Sequence, residues 1–343
     1  MKSLIFLYAP NVHTGGGFVL LRALLAAWPV GMPLRTFLDA RACGTLVLPA
    51  LASAIWVRPA VSDRLAAEWR LRAAAGPGDT VLCFHGLPPL FRSAGRVVVF
   101  QQNRHLFGHI QMSRFAPRTA LRLALERFVS RAFRHNVAEY IVQTPTMARA
   151  LSAWLPDKPT IRVLPFAEPA PYQAAAIPIW DFVYVSDGEA HKNHSNLLKA
   201  WELLSSQDIR PRLALTLGPR DKGLAEQVDS LRRSTGAEVH NLGHLSHEEV
   251  LALYAVSRAL IFPSLSESFG LPLVEARQMG LPILASEFDY VRDVCEPAQS
   301  FDPMSPVSIA RAVRRFLDRP EPVVTLGSPG TLWAALGVAP ERT

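Results

Sequence analysis

Phe262-Pro263-Ser264-Leu265-Ser266-Glu267-Ser268-Phe269-Gly270-Leu271-Pro272-Leu273-Val274-Glu275-Ala276 is the stretch that decides the reading of this chain. The apolar run Ala259-Leu260-Ile261-Phe262 predicts a short buried strand. Pro263 and Ser264 end it. Glu267 then falls in a loop, and Ser268-Phe269-Gly270 leads into a helix that Pro272 can open from its first turn. Glu275 lies on that helix. A strand, a glycine-bearing turn and a helix start gather free N–H groups at the positive end of a helix dipole, which suits phosphate. One carboxylate stands before those donors and one after. Ionised carboxylates accept hydrogen bonds, and hydroxyl groups donate them. The combination suits a sugar nucleotide.

The stretch resembles the E-x7-E signature of retaining glycosyltransferases of the GT-B fold, in particular family four. The likeness runs on through Arg277-Gln278-Met279-Gly280-Leu281-Pro282-Ile283-Leu284-Ala285-Ser286, which is similar to that family's EAMACGxPVVAS. Two spaced glutamates alone would carry little weight, whereas the whole run in order carries much more. The resemblance implies an α/β chain of two Rossmann-like domains facing each other across a cleft. It implies a nucleotide-diphosphate sugar as donor, retention of configuration, and neither metal nor cofactor. It places Glu267 on the hydroxyls of the donor sugar and Glu275 on the ribose, with the backbone of Ser268, Phe269, Gly270 and Leu271 at the diphosphate.

A chain of 343 residues, 49% hydrophobic, is long enough for two domains with cores of their own. The net charge of +7 is unevenly placed. Residues 1–170 hold 20 Lys and Arg against 8 Asp and Glu, and residues 171–343 hold 16 against 21. The basic first half suggests an anionic partner. Three cysteines, Cys43, Cys83 and Cys295, are odd in number and lack metal-ligand spacing, so reduced structural thiols are expected. Met1 to Ala9 reads as a first strand rather than a secretory signal. The longest apolar stretch, Thr45 to Val57, contains Pro49 and falls short of the roughly 20 residues a spanning helix needs. The expectation is a cytoplasmic protein that touches the inner face of a membrane.

In the first half, the strand Ser3–Ala9 runs into Pro10-Asn11-Val12-His13-Thr14-Gly15-Gly16-Gly17 and then an apolar helix. Three glycines let the backbone approach a ligand closely, although a packing turn would read the same way. In the resembling family a Gly-Gly loop at this place faces the donor diphosphate, which implies that role for Gly15, Gly16 and Gly17. Thr80–Phe84 and Val97–Phe100 read as strands ending at His85-Gly86 and Gln101-Gln102-Asn103. Ligands sit beyond strand carboxyl ends in open α/β sheets, so His85, Gln101, Gln102 and Asn103 are acceptor-side candidates. The family often has a histidine where this chain has Gln101. Residues 114–134 alternate arginines (Arg114, Arg118, Arg122, Arg127, Arg131, Arg134) with apolar side chains. Such a helix lies on an anionic membrane surface, or packs its apolar face inward. Nucleic acid is not expected, since no recognition module is present.

The proline-rich segment 165–178 reads as a linker. It divides the chain into an acceptor-side domain (1–168), a nucleotide-sugar-binding domain (169–320) and a tail (321–343). In the second domain, the strand Trp180–Val185 and Ser186-Asp187-Gly188-Glu189-Ala190-His191-Lys192-Asn193 resemble the family's VGRLxxRKN. The resemblance implies Lys192 at the donor pyrophosphate, as a catalytic residue beside Glu267. Asp187 stands where the family has an arginine, and would repel a diphosphate if it pointed inward. Val239-His240-Asn241-Leu242-Gly243-His244-Leu245-Ser246-His247-Glu248-Glu249 resembles the family's segment around the base, with Gly243 at the donor. Ser246 with Glu249 also fits a capping box. His240, His244 and His247 lack a metal-ligand pattern, and no Asp-x-Asp occurs. Two other readings stay open: a ligand-binding protein of the same fold with weak or no transfer activity, and a sugar-nucleotide epimerase or phosphorylase.

Overall fold

The computed structural model describes residues 4–107, 117–157, 159–168 and 177–321. Seven strands form a first sheet: β1 (Ile5–Ala9), β2 (Leu34–Asp39), β3 (Ala52–Val57), β4 (Thr80–Cys83), β5 (Arg96–Phe100), β6 (Glu139–Val142) and β7 (Ile161–Val163). Among the described residues four helices accompany them: α1 (Gly15–Ala26), α2 (Val61–Ala74), α3 (Pro117–Ala132) and α4 (Pro145–Trp154). Six strands form a second sheet: β8 (Trp180–Tyr184), β9 (Leu213–Leu215), β10 (Val239–Asn241), β11 (Ser257–Phe262), β12 (Ile283–Ser286) and β13 (Gln299–Phe301). Its helices are α5 (His194–Ser206), α6 (Lys222–Thr235), α7 (His247–Ala255), α8 (Leu271–Gln278), α9 (Asp289–Arg292) and α10 (Pro306–Phe316).

The strand orders are β3-β2-β1-β4-β5-β6-β7 and β10-β9-β8-β11-β12-β13, and every ladder is parallel. Parallel sheets are covered on both faces, so their strands read as apolar runs. Phe182, Val183 and Tyr184 are fully buried, as are Ala259 to Phe262. In β1, Phe6 and Tyr8 pack into the core on one face while Leu7 and Ala9 pack into the core on the other. In each sheet the order reverses at the first strand, because β1 lies between β2 and β4 and β8 between β9 and β11. Crevices open at such reversals, beyond the strand carboxyl ends. The glycine loop follows β1 and the Lys192 loop follows β8, so both stand at these points.

β2 and β3 carry only a weak strand signal in the sequence. Arg35 interrupts the apolar run of β2, and β3 alternates partly buried with exposed residues because it is an edge strand. Thr144 caps α4 by accepting from Met147 N at 3.2 Å. Ser246 and Glu249 form the expected capping box of α7. Arg114, the centre of the linker and the tail beyond Glu321 lie outside the described residues. On α3, Leu121, Leu125 and Phe128 share one face and are 74%, 61% and 67% exposed, so this stripe does not pack inward. Among the described residues no helix is long and apolar enough to cross a membrane.

Candidate active site between the two sheets

Backbone ties bring the Glu267 loop and the Lys192 loop together. Leu265 N donates to His191 O at 2.8 Å, and Ser264 Oγ donates to the same carbonyl at 3.2 Å. Tyr290 OH donates to Ser264 O. Tyr184 OH holds Lys192 O at 2.7 Å. Asn193 adopts a left-handed backbone (φ 62°), which Asn tolerates better than most residues. Its side-chain amide donates to Pro263 O and Pro303 O. On this frame Lys192 Nζ donates to Glu267 Oε1 at 2.8 Å. Burial works against the ammonium, yet the charge and hydrogen bond of Glu267, with Asp187 and Glu189 nearby, outweigh it and hold the Lys192 pKa above its ordinary value. Asp187 is exposed, and its Oδ1 accepts from Glu189 N.

The start of α8 meets the first sheet's glycine loop. A Cβ on Gly16 would come 3.9 Å from Leu271 Cδ2, and Leu271 packs against the cores of both halves. Gly15 (φ 70°) and Gly270 (φ 70°) supply the left-handed turns that aim these two helix starts. Gly17 lies so close to Gln102 that a Cβ would come 3.0 Å from its Oε1. Two hydrogen bonds cross the seam at Ser268. Its Oγ accepts from Arg104 N at 3.0 Å, and its carbonyl accepts from Thr144 Oγ1 at 3.4 Å. Phe269, the next residue, is buried in the second core. A further bond runs from Thr146 N to Asp293 Oδ2 at 2.8 Å.

Glu275 projects from α8 into a buried place beneath α7. Tyr254 OH donates to its Oε2 at 3.2 Å, and His247 Nδ1 stands 3.5 Å from its Oε1. Burial raises the Glu275 pKa to about 7, against the lowering effect of the tyrosine hydrogen bond. Burial pushes His247 down, and the positive charge of Arg22 on α1 acts in the same direction. Gly243, in the loop before α7, is left-handed (φ 84°), and its N–H donates to Asn241 Oδ1.

The acceptor-side candidates follow β4 and β5. His85 meets Tyr8 edge-on at 5.0 Å, and burial holds its pKa down to about 4, so the ring is neutral. Gln101 is fully buried, with its amide on Gly86 O at 2.9 Å and its oxygen accepting from Asn103 N at 3.1 Å. Gln102 donates to Phe84 O. Asn103 caps the short 3-10 turn Arg104–Leu106 by accepting from His105 N at 2.9 Å. These polar side chains hold the loop that carries Arg104 and His105 to the seam.

Arg104, His105, Glu189 and His191 were not singled out as site residues from the sequence. Arg104 and His105 directly follow Gln101-Gln102-Asn103, on the loop beyond the same strand end. The His105 and His191 rings meet edge to face with centroids 5.0 Å apart. Burial lowers both of their pKa values, that of His191 to about 4. The histidines noted near β10 take separate surroundings: His240 pairs with Glu238 at 2.9 Å, and His247 stands by Glu275.

Two parallel sheets, each reversing at its first strand and facing the other across a seam that both reversal points line, define the GT-B fold. Sucrose-phosphate synthase from Thermosynechococcus elongatus superposes with a TM-score of 0.69 at 16% identity, over 93% of this chain and 90% of that one. Alr3699/HepE of Anabaena, in complex with UDP and glucose, does so with a TM-score of 0.64 at 14% identity, over 92% and 90%. Residues 179–330 match the family described as glycosyl transferases group 1. The serotype-specific mannosyltransferase WbdA of Escherichia coli is 34% identical over 139 residues, covering 40% of this chain and 17% of the relative. The O-antigen chain mannosyltransferase B of Escherichia coli is 33% identical over 116 residues, covering 33% and 30%. The matched part is thus a third or less of each of these relatives.

Proposed function

We propose that the chain transfers a sugar from a nucleotide-diphosphate donor to a glycan or lipid-linked acceptor in the assembly of surface polysaccharide, with retention of configuration. The carrying observation is the Lys192–Glu267 pair, 2.8 Å long, at the seam. Departure of a nucleoside diphosphate builds negative charge on phosphate and positive character on the sugar carbon. Preorganised donors at the developing charge supply much of the catalysis. On this reading Lys192 exchanges the Glu267 carboxylate for the diphosphate, and Glu267 is released to accept from the donor sugar's hydroxyls. The N–H groups at the start of α8 and the Gly15–Gly17 loop receive the remaining phosphate oxygens. Glu275 accepts from the ribose, and the Gly243 loop borders the base. The mannosyltransferase relatives and the two solved structures support this reading.

The test is product analysis with a panel of UDP-, GDP-, ADP- and dTDP-sugars and candidate acceptors. Transfer that is abolished by Glu267→Ala supports the reading. Binding without transfer favours the ligand-binding alternative, and turnover of donor without any acceptor favours the epimerase alternative.

The exposed stripe on α3 supports a peripheral contact with an anionic membrane, where Arg118 and Arg122 meet headgroups and Leu121, Leu125 and Phe128 enter the interface. Pelleting with vesicles rich in anionic lipid should fall when Arg118 and Arg122 become Glu, and should fall again for Phe128→Ser. Undiminished pelleting of the arginine variant would overturn the contact.

A further inference from the structure

One cluster at the seam is not used by the transfer reading. His105 comes from the loop after β5, while Glu189 and His191 come from the loop after β8. One ligand atom from each of the three lies within 4.8 Å of the others. His191 Nδ1 stands 3.3 Å from Glu189 Oε2. That nitrogen is buried and has no hydrogen-bond partner among the described residues, so its approach to Glu189 lacks hydrogen-bond geometry. Two ligand atoms on a tetrahedral zinc ion, each about 2.0–2.2 Å from the metal, stand roughly 3.3–3.5 Å apart. The His191–Glu189 pair is already at that spacing, and a ligand atom of His105 lies within 4.8 Å of one from each of them.

The main chain beneath the three side chains is tied down. His191 O accepts from Leu265 N and Ser264 Oγ. Glu189 O accepts from Lys192 N at 2.8 Å. His105 N donates to Asn103 Oδ1, and His105 O accepts from Arg127 Nη1 at 3.2 Å. These bonds fix the main chain that carries the three side chains. The surroundings carry Asp187 and Glu267 as negative charges, opposed by Lys192 and Arg104. Two imidazoles with one carboxylate are a zinc-type donor set. Magnesium and calcium prefer oxygen throughout.

We propose that His105, Glu189 and His191 bind a divalent transition-metal ion of the zinc class. Because His105 belongs to one half of the molecule and the other two to the second, the bound ion latches the seam. The inference stands apart from the transfer reading, and it goes against the metal-free expectation drawn from the family resemblance.

The experiment titrates the chelator-treated full chain with zinc chloride alone, by calorimetry, with X-ray scattering and thermal melts on the same samples. Wild type should bind one equivalent, melt higher and become more compact. His105→Gln and His191→Ala should each weaken binding by more than about 100-fold, since loss of a supporting residue alone typically costs 10–100-fold. Magnesium chloride should leave the melt unmoved, and the surface variant His135→Ala should bind as wild type. Metal-free melts of the variants show whether each one folds. Absence of zinc binding by wild type, or unchanged binding by a folded His105→Gln, His191→Ala double variant, overturns the site. Unchanged affinity in His105→Gln alone overturns the latch.

Discussion

Lys192 Nζ and Glu267 Oε1 stand 2.8 Å apart with side chains only 17% and 12% exposed, joining the loop after β8 to the loop after β11. Removing one partner leaves the other buried and unpaired, which costs more than the pair itself contributes. Glu267→Gln should therefore lower the unfolding free energy by about 3 kcal/mol, measured by urea titration. The double variant Lys192→Met, Glu267→Gln should recover part of that loss. Lys192→Ala should lower kcat about 100-fold or more, the scale of removing one preorganised donor. A full rate in that variant would show that the ammonium does not meet the leaving diphosphate.

Glu275 makes stability depend on pH. Its folded value of about 7 lies above the ordinary carboxyl value of 4.5. Burial is the main cause, with Tyr254 OH and His247 Nδ1 facing the carboxyl. The native state then holds the proton more tightly than the unfolded chain. The contribution is fully present below about pH 4.5 and is lost as pH rises through about 7. Glu275→Gln should thus stabilise the ligand-free protein at pH 8 by up to about 3 kcal/mol, with little effect at pH 4. Thermal melts across pH would show a flatter profile in the variant. On the proposed function the same substitution should also weaken nucleotide binding, because an amide is a poorer acceptor for ribose hydroxyls than a carboxylate.

Asp293 accepts from Thr146 N in the first turn of α4, across the seam. A carboxylate at a helix N-terminus gains from both the free N–H and the dipole. Asp293→Ala should cost about 1 kcal/mol of closure, enough to shift a closed arrangement toward an open one. X-ray scattering of the ligand-free variant should give a larger radius of gyration than wild type. Saturating nucleotide should restore compactness if the donor itself bridges the halves.

Gly270 has φ 70° and sits where a Cβ would come 3.0 Å from Leu273 Cδ1. Gly270→Ala combines an unfavourable left-handed backbone, worth about 1–2 kcal/mol, with a contact that must give way. The expected result is a lower melting temperature together with weaker donor binding, since the start of α8 tilts. Calorimetric titration with a nucleoside diphosphate separates the two effects.

The site was legible in the sequence wherever chemistry is written in local order. Glu267, Gly270 and Glu275 lie within one strand-turn-helix unit, and Ser246 with Glu249 announces its own cap. Buried parallel strands such as Ala259–Phe262 declare themselves because both faces are covered. β3 did not, because an edge strand is half exposed and its pattern is weak.

What the sequence by itself determined is the pair of α/β halves, the glycine turns and the identity of the charged groups of the candidate site. The tertiary structure alone decided which of those groups meet. Lys192 and Glu267 are 75 positions apart, and Arg104 and Ser268 are 164 apart. The first contact is set by the pairing of β8 with β11 within the second sheet, the second by how the two sheets' reversal points face each other, and no local pattern encodes either placement. The same holds for His105 and His191. Each reads alone as an ordinary loop histidine, and the packing of the two halves brings their rings together.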